Sequence, residues 1–286
     1  MRRGAEKQGR GFSILELLIA MGIFLAICAA MFELLRMSQQ KYSGETQLSA
    51  AYQDSRLAMD QIVRDFNIAG YPPVDMFSVL PSLSSQYAIT PVAWIPGYTS
   101  VPPIPCNLGQ PGVGGGSCGP TVSGNPGDYD LVIETRIPPS PGDPPNPPVS
   151  WIGYHYDPNT LTLFRAVVTP KTAGSAPPSP NQVASLGTPL LKNVVNNPGS
   201  LMSQILANYP NMFPTGQAQP IFQYTCDNPP ASPTPCWQAT VTNNSPKNIR
   251  DVDVTLIVKT PQQDLQTQSL KLVELFGRGH RSNPVN

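Results

Sequence analysis

Glu16 is the residue whose position most needs a chemical explanation. It lies inside a predominantly apolar segment, residues 12–35, which reads FSILELLIAMGIFLAICAAMFELL. A carboxylate at the centre of a bilayer costs about 3 kcal/mol, so we expect it to have a partner or a function. A cut after Gly11 would free the amine of Phe12, four residues before Glu16. An ammonium and a carboxylate that meet between neighbouring helices would neutralise each other at low dielectric.

The apolar segment is long enough to cross a membrane as a helix. Its 24 residues exceed the roughly 20 that span a hydrocarbon core of about 30 Å. Basic residues dominate the leader before it, so positive charge favours a cytoplasmic N-terminus. A plain signal anchor is the simplest interpretation. A secretory signal peptide fits less well, because its apolar stretch would be shorter than this one. The charged residues of the leader are Arg2, Arg3, Lys7 and Arg10, against Glu6.

A helical pattern continues beyond the membrane-length segment. Charged and polar residues begin at Arg36, and proline is absent before Pro72. The Ala69-Gly70 pair, followed by Tyr71 and two prolines, is typical of a helix end. The spacing therefore predicts one helix over residues 12–69, about 85 Å long, with an amphipathic outer half. The apolar stripe of that half contains Leu48, Tyr52, Met59, Ile62, Val63 and Phe66.

Residues 10–21, RGFSILELLIAM, resemble the cleavage and methylation motif of type IV prepilins. The resemblance implies that a prepilin peptidase cuts between Gly11 and Phe12 and N-methylates Phe12. It also implies that Glu16 pairs with the N-terminus of a neighbouring subunit during assembly. The implied partners are that peptidase, other pilin subunits through the N-terminal helix, the inner membrane and an assembly platform. The implied location is the inner membrane first, and then a filament in the periplasm or at the cell surface.

Residues 52–71, YQDSRLAMDQIVRDFNIAGY, are similar to a segment of PilW-type minor pilins. This resemblance implies a minor pilin, a structural filament subunit rather than an enzyme. A J-class-like pseudopilin of type II secretion is the close alternative. A membrane-anchored adhesin or binding module, which never assembles, and a membrane-anchored enzyme are the more distant ones. The matching residues are Arg56, Ala58, Ile62, Arg64, Asp65, Ala69, Gly70 and Tyr71.

The rest of the chain, residues 71–286, is expected to form an extracytoplasmic antiparallel β-domain. Proline-rich and glycine-rich loops separate segments that alternate apolar and polar residues, which is typical of half-buried strands. The predicted class is therefore α+β, and the resemblance implies the pilin fold. The chain divides into a basic leader (1–11), the transmembrane half of the helix (12–35), its amphipathic half (36–70) and this β-domain (71–286). The predicted strands are 130–137, 151–156, 160–169, 220–226, 237–242, 252–258 and 269–276.

Four of the five cysteines occur as two close pairs in the β-domain, Cys106 with Cys118 and Cys226 with Cys236. We expect two local disulfides, although four cysteines allow three connectivities. In the chain-entropy model each disulfide would close a short loop and stabilise the folded state by roughly 3 kcal/mol. Such bridges fit an oxidising compartment. A zinc site is the alternative, but neither pair has the usual structural-zinc spacing.

The sequence offers little catalytic or ligand-binding chemistry. Four of 18 basic and one of 18 acidic residues lie in the leader, leaving 14 against 17, so no basic patch predicts nucleic-acid binding. No nucleophile, zinc or phosphate-loop motif is present, and we expect no catalytic residue, metal or cofactor. We interpret His155 as structural and His280 as part of a polar tail. Asp157, Asn159 and Thr160 could act as calcium ligands, but no twelve-residue loop with a distal Glu follows them. We expect Asp251 and Asp253 to lie on a solvated strand face.

Overall fold

A long N-terminal helix leads into an antiparallel β-domain in the computed structural model. It describes residues 13–79, 81, 84–88, 91–92, 129–137, 145–168, 178–213, 216–228, 232–235, 249–264 and 269–282. The α+β class and the packing of the helix on antiparallel sheets are confirmed. The elements are α1 (Ile14–Asn67), β1 (Asp130–Thr135), β2 (Ser150–Asp157), β3 (Thr162–Val168), α2 (Pro180–Leu186), β4 (Thr188–Lys192), α3 (Met202–Asn208), β5 (Phe222–Asn228), β6 (Ser232–Pro235), β7 (Ile249–Lys259) and β8 (Leu272–His280).

Helix α1 is continuous for 54 residues, which corresponds to about 81 Å. Ser13 is its N-cap and Ile68 its C-cap, within two residues of the limits expected from sequence. The helix runs through Gly22 and Gly44 without interruption, although glycine lowers helix propensity. One rigid element therefore connects the N-terminal segment to the β-domain.

Within the described residues, the strands form two four-stranded antiparallel sheets. The first has the order β1-β2-β3-β4, and the second has the order β6-β5-β7-β8. An isolated bridge between Val194 and Val258 joins the end of the first sheet to β7 of the second. Helix α1 packs chiefly on β8, with further contacts to β7 and β4. It thus lies across the region where the two sheets meet.

The alternating sequence pattern located most of these strands. The hairpin of β2 and β3 turns at residues 158–161, close to the expected turn, and β1, β5 and β7 overlap their predicted ranges. The expected strand 237–242 lies outside the described residues. The pattern did not reveal α2, β4, α3 or β6. Strand β8 extends to His280, so the expectation of a polar tail there was wrong.

The main core lies between the second half of α1 and the inner faces of both sheets. Ala58, Met59, Ile62 and Phe66 are buried on one side of the helix. They pack with strand residues that point inward at every second position. From the first sheet these are Leu131, Ile133, Ile152, Tyr154 and Leu163, and from the second Phe222, Val252, Val254, Leu256 and Val258.

Two glycines let α1 approach strand β8 closely. A Cβ atom at Gly279 would lie 3.0 Å from Cβ of Phe66, and one at Gly277 would collide with the side chain of Met59. Because Cβ of Phe66 is fixed to the helix backbone, it cannot move aside by rotating a side chain. Glycine at these positions therefore sets the distance between helix and sheet.

Replacing Gly279 with alanine should lower the free energy of unfolding by about 1–3 kcal/mol, because the new methyl group overpacks the interface with Phe66. The matched control is Gly22→Ala, where a Cβ atom would have no neighbour within 4 Å. Thermal unfolding of the full chain in non-ionic detergent measures both variants. Equal melting temperatures for Gly279→Ala and the unmodified chain would contradict the prediction.

Candidate functional site

The first half of α1 is an exposed apolar surface. None of its side chains between Ile14 and Leu35 is buried, and the best 18-residue window has a mean hydropathy of 2.5. In length and composition this half could cross a membrane. Its large apolar residues include Ile14, Leu17, Leu18, Phe24, Leu25, Phe32 and Leu35, each more than half exposed. The β-domain leaves this surface free for contacts with lipid or with another chain.

Glu16 lies in the first turn of α1 and caps the helix. Its Oε2 accepts a hydrogen bond from the backbone N–H of Ser13 at 3.1 Å, while Ser13 Oγ accepts one from the N–H of Leu15 at 3.3 Å. This reciprocal arrangement satisfies N–H groups that have no partner within the helix. The negative charge also lies at the positive end of the helix dipole. Glu16 is exposed, so a positive group from another molecule can reach it.

Asp65 fixes the second half of α1 to the first sheet. Its Oδ2 accepts hydrogen bonds from the Tyr154 hydroxyl at 2.6 Å and from Nε of Arg165 at 2.7 Å. Its Oδ1 accepts one from the Gln61 amide at 2.7 Å. Asp65 is 4% exposed, and it is one of the residues on which the resemblance to minor pilins rests, without a role assigned to it. The structure identifies it as the polar link between the helix and strands β2 and β3.

The charges in this link favour a stable ion pair. Burial raises the pKa of the Tyr154 hydroxyl well above its ordinary value, and the charge of Asp65 raises it further. Burial is the largest single effect and would lower the pKa of Arg165, but the interactions with Asp65 and Tyr154 together outweigh it, and the pKa is raised. Tyrosine therefore stays neutral and arginine stays charged, so the carboxylate has one cation and neutral donors around it.

The C-terminal end of α1 is tied to strand β1. Thr135 donates its hydroxyl hydrogen to the carbonyl oxygen of Ile68 at 2.6 Å, and the N–H of Gly70 donates to the carbonyl of Glu134 at 2.7 Å. Gly70 has a φ of +80°, a left-handed conformation that favours glycine. The chain thus turns sharply from the helix into the domain at the Ala69-Gly70 pair expected from sequence.

The proposed processing site and most of the cysteine positions lie outside the described residues. These are Gly11, Phe12, Cys106, Cys118 and Cys236, so the cut and the disulfide pairing stay predictions. Cys226 lies in β5, where its backbone is opposite Thr234 of β6. Within the apolar half of α1, Glu33 is exposed and Cys28 is a free, partly exposed cysteine.

Both histidines pair with an aspartate directly opposite on a neighbouring strand. Nδ1 of His155 lies 2.5 Å from Oδ1 of Asp130, and Nδ1 of His280 lies 2.5 Å from Oδ1 of Asp251. The expected solvated face for Asp251 was wrong, because this residue is only 7% exposed. Asp253 is ion-paired as well, with Arg278 of β8. These groups join strands within each sheet.

The polar turn after β2 uses its own oxygen atoms. Asp157 Oδ1 accepts from the N–H of Asn159 at 2.9 Å, and Oδ2 accepts from the Thr160 hydroxyl at 2.8 Å. Desolvation is the largest single effect and would raise the pKa of Asp157, but the hydrogen bonds from Asn159 and Thr160 together lower it below its ordinary value. In the part of the chain that the structure describes, no group of three or more His, Cys, Asp or Glu residues could hold a metal ion.

Comparisons with known proteins do not assign this geometry to a family. No family model, no curated protein and no solved structure matches the chain. The functional interpretation therefore depends on the residues themselves: an exposed apolar half-helix, a carboxylate in its first turn, and a second half fixed to a β-domain.

Proposed function

We propose that this chain is a type IV prepilin-like protein, most similar to PilW-type minor pilins. Cleavage after Gly11 and N-methylation of Phe12 produce a mature subunit that packs into a pilus-like filament. The division of α1 is the observation that carries the proposal. Its apolar half, with Glu16 in the first turn, has no covering protein in the described structure, whereas one side of its second half packs on the domain.

Electrostatics explains why processing and assembly would be coupled. Before cleavage, Phe12 has a peptide nitrogen and no charge, so it cannot neutralise Glu16. Cleavage creates an ammonium group four residues before Glu16. In a bundle of such helices the dielectric is low, so the amine of one subunit and the carboxylate of another attract strongly. The pair compensates for the cost of burying each charge.

The exposed apolar surface has two successive partners in this proposal. In the free subunit it lies in the inner membrane, with the basic leader in the cytoplasm and the β-domain outside. In the filament the same surface packs against neighbouring helices, because a large exposed apolar surface indicates an interaction site. The peptidase and an assembly platform act between these two states.

Intact-mass and N-terminal mass spectrometry of the protein from its own cells tests the proposal. We expect a mature chain that begins at Phe12 and carries one N-methyl group. A Gly11→Val variant should keep the leader, since a β-branched residue then occupies the position before the cut. The matched control is Gly4→Val, which places the same side chain elsewhere in the leader and should be processed normally. A native chain that retains residues 1–11, or one cut beyond residue 30, would refute the proposal.

A further inference from the structure

Arg136, just after strand β1, holds a buried donor with no acceptor. Its Nη2 donates to the carbonyl oxygen of Gln86 at 2.8 Å, and its backbone N–H donates to the carbonyl of Tyr71 at 2.8 Å. Its Nε is buried and makes no hydrogen bond. Across the described residues, no carboxylate lies within 4.0 Å of this guanidinium group. The Arg136 side chain is thus held in place, while part of its guanidinium group makes no hydrogen bond.

The guanidinium group lines a cavity of about 410 Å³ at the surface of the domain. That volume is within the range of small-molecule sites, roughly 300–1,000 Å³. Phe77, Pro147 and Pro148 form apolar walls, and Ser85 and Gln86 add polar atoms. The walls are connected, because the N–H of Val149 donates to the carbonyl of Ser85 at 2.6 Å.

A partly buried cation without a counter-ion favours binding of an anion. Removing charge from water is costly unless the charge is paired and hydrogen-bonded. Glu134, two residues earlier, makes interactions of its own. Arg278 shows how such a donor is satisfied elsewhere in this chain: its Nε and Nη2 hold the two oxygens of Asp253 at 2.5 and 2.9 Å.

We propose that this cavity binds a small carboxylate-bearing ligand. The carboxylate accepts charge-assisted hydrogen bonds from those N–H groups of the Arg136 guanidinium that line the cavity. The ligand also contains a ring, which packs against the apolar walls formed by Phe77, Pro147 and Pro148. Two kinds of molecule carry this chemistry, an aromatic acid and an acidic sugar. The site is separate from α1 and does not depend on filament assembly.

Calorimetric titration of the full chain in non-ionic detergent tests the site with two matched pairs of probes. The pairs are benzoate with benzamide, and glucuronate with glucose, so each acid is compared with an uncharged analogue. We expect at least one acid to bind about tenfold or more tightly than its neutral partner. The acid that binds identifies the kind of ligand. Failure of both acids to bind up to about 10 mM would overturn the proposal.

Variants locate the binding. Arg136→Gln should weaken the binding of the acid about tenfold or more, and Arg136→Lys, which keeps the charge but lacks the planar guanidinium group, should weaken it as well. Arg278→Gln removes an arginine that already has its own aspartate, and it should leave binding unchanged. Circular dichroism checks that each variant is folded. Equal binding by Arg136→Gln and Arg278→Gln would place the acid elsewhere and refute the site.

Discussion

Replacing Asp65 with alanine should lower the free energy of unfolding by about 3–5 kcal/mol. Asp65 is the common acceptor for Tyr154 and Arg165. Its removal leaves a partly buried guanidinium group without a counter-ion, and it leaves a buried hydroxyl without an acceptor. Chemical denaturation of the full chain in non-ionic detergent, followed by tryptophan fluorescence, measures the effect.

The matched control is Asp60→Ala, because Asp60 lies on the same helix and is exposed. That change should alter stability by less than about 0.5 kcal/mol. Asp65→Asn keeps the shape of the side chain but removes its charge, so it should fall between the two. If Asp65→Ala and Asp60→Ala unfold at the same denaturant concentration, the buried ion pair does not hold the helix on the sheet.

Replacing Glu16 with alanine should reduce recovery of the chain in sheared filaments by about tenfold or more. On the proposed function, the methylated amine of a neighbouring subunit would then be buried without a counter-ion, and losing such a pair costs well over 1.4 kcal/mol. The leader should still be removed, because the cut lies four residues away. Quantitative immunoblotting of filament and membrane fractions measures the distribution.

Glu33→Ala is the matched control, since it removes a second carboxylate from the same exposed half of α1. Glu33 is 17 residues further along the helix, about 25 Å from Glu16, and cannot reach the same amine. We expect it to enter filaments normally. Equal recovery of both variants would show that Glu16 has no specific part in assembly, and the helix-cap function would then be its whole role.

Sequence periodicity predicted the helix and most of the strands because their patterns are local. Absence of proline, the apolar spacing and the Ala69-Gly70 end defined α1 closely. The alternation in β7 likewise located a half-buried strand. Such patterns depend on neighbouring residues within one element, so they can be recognised without knowledge of the fold.

Features that depend on pairing between distant segments could not be predicted in the same way. Asp65 meets Arg165 across 100 residues, and Asp251 meets His280 only because β7 and β8 pair in one particular register. The short helix α2 has a serine cap and a proline at its start, a signal that could have revealed it. The cavity at Arg136 had no sequence signal at all.

The unbroken course of α1 has a geometric consequence for the whole subunit. Each residue of an α-helix advances the chain about 1.5 Å and rotates it about 100°. Residues of the helix are buried against the domain from Ala51 onward, so the direction of Glu16 about the helix axis is determined by the number of residues between Glu16 and Ala51. The direction in which the Glu16 carboxylate points is thereby fixed relative to the face of the β-domain that packs on the helix. The β-domain can therefore orient a charge located far from its own surface.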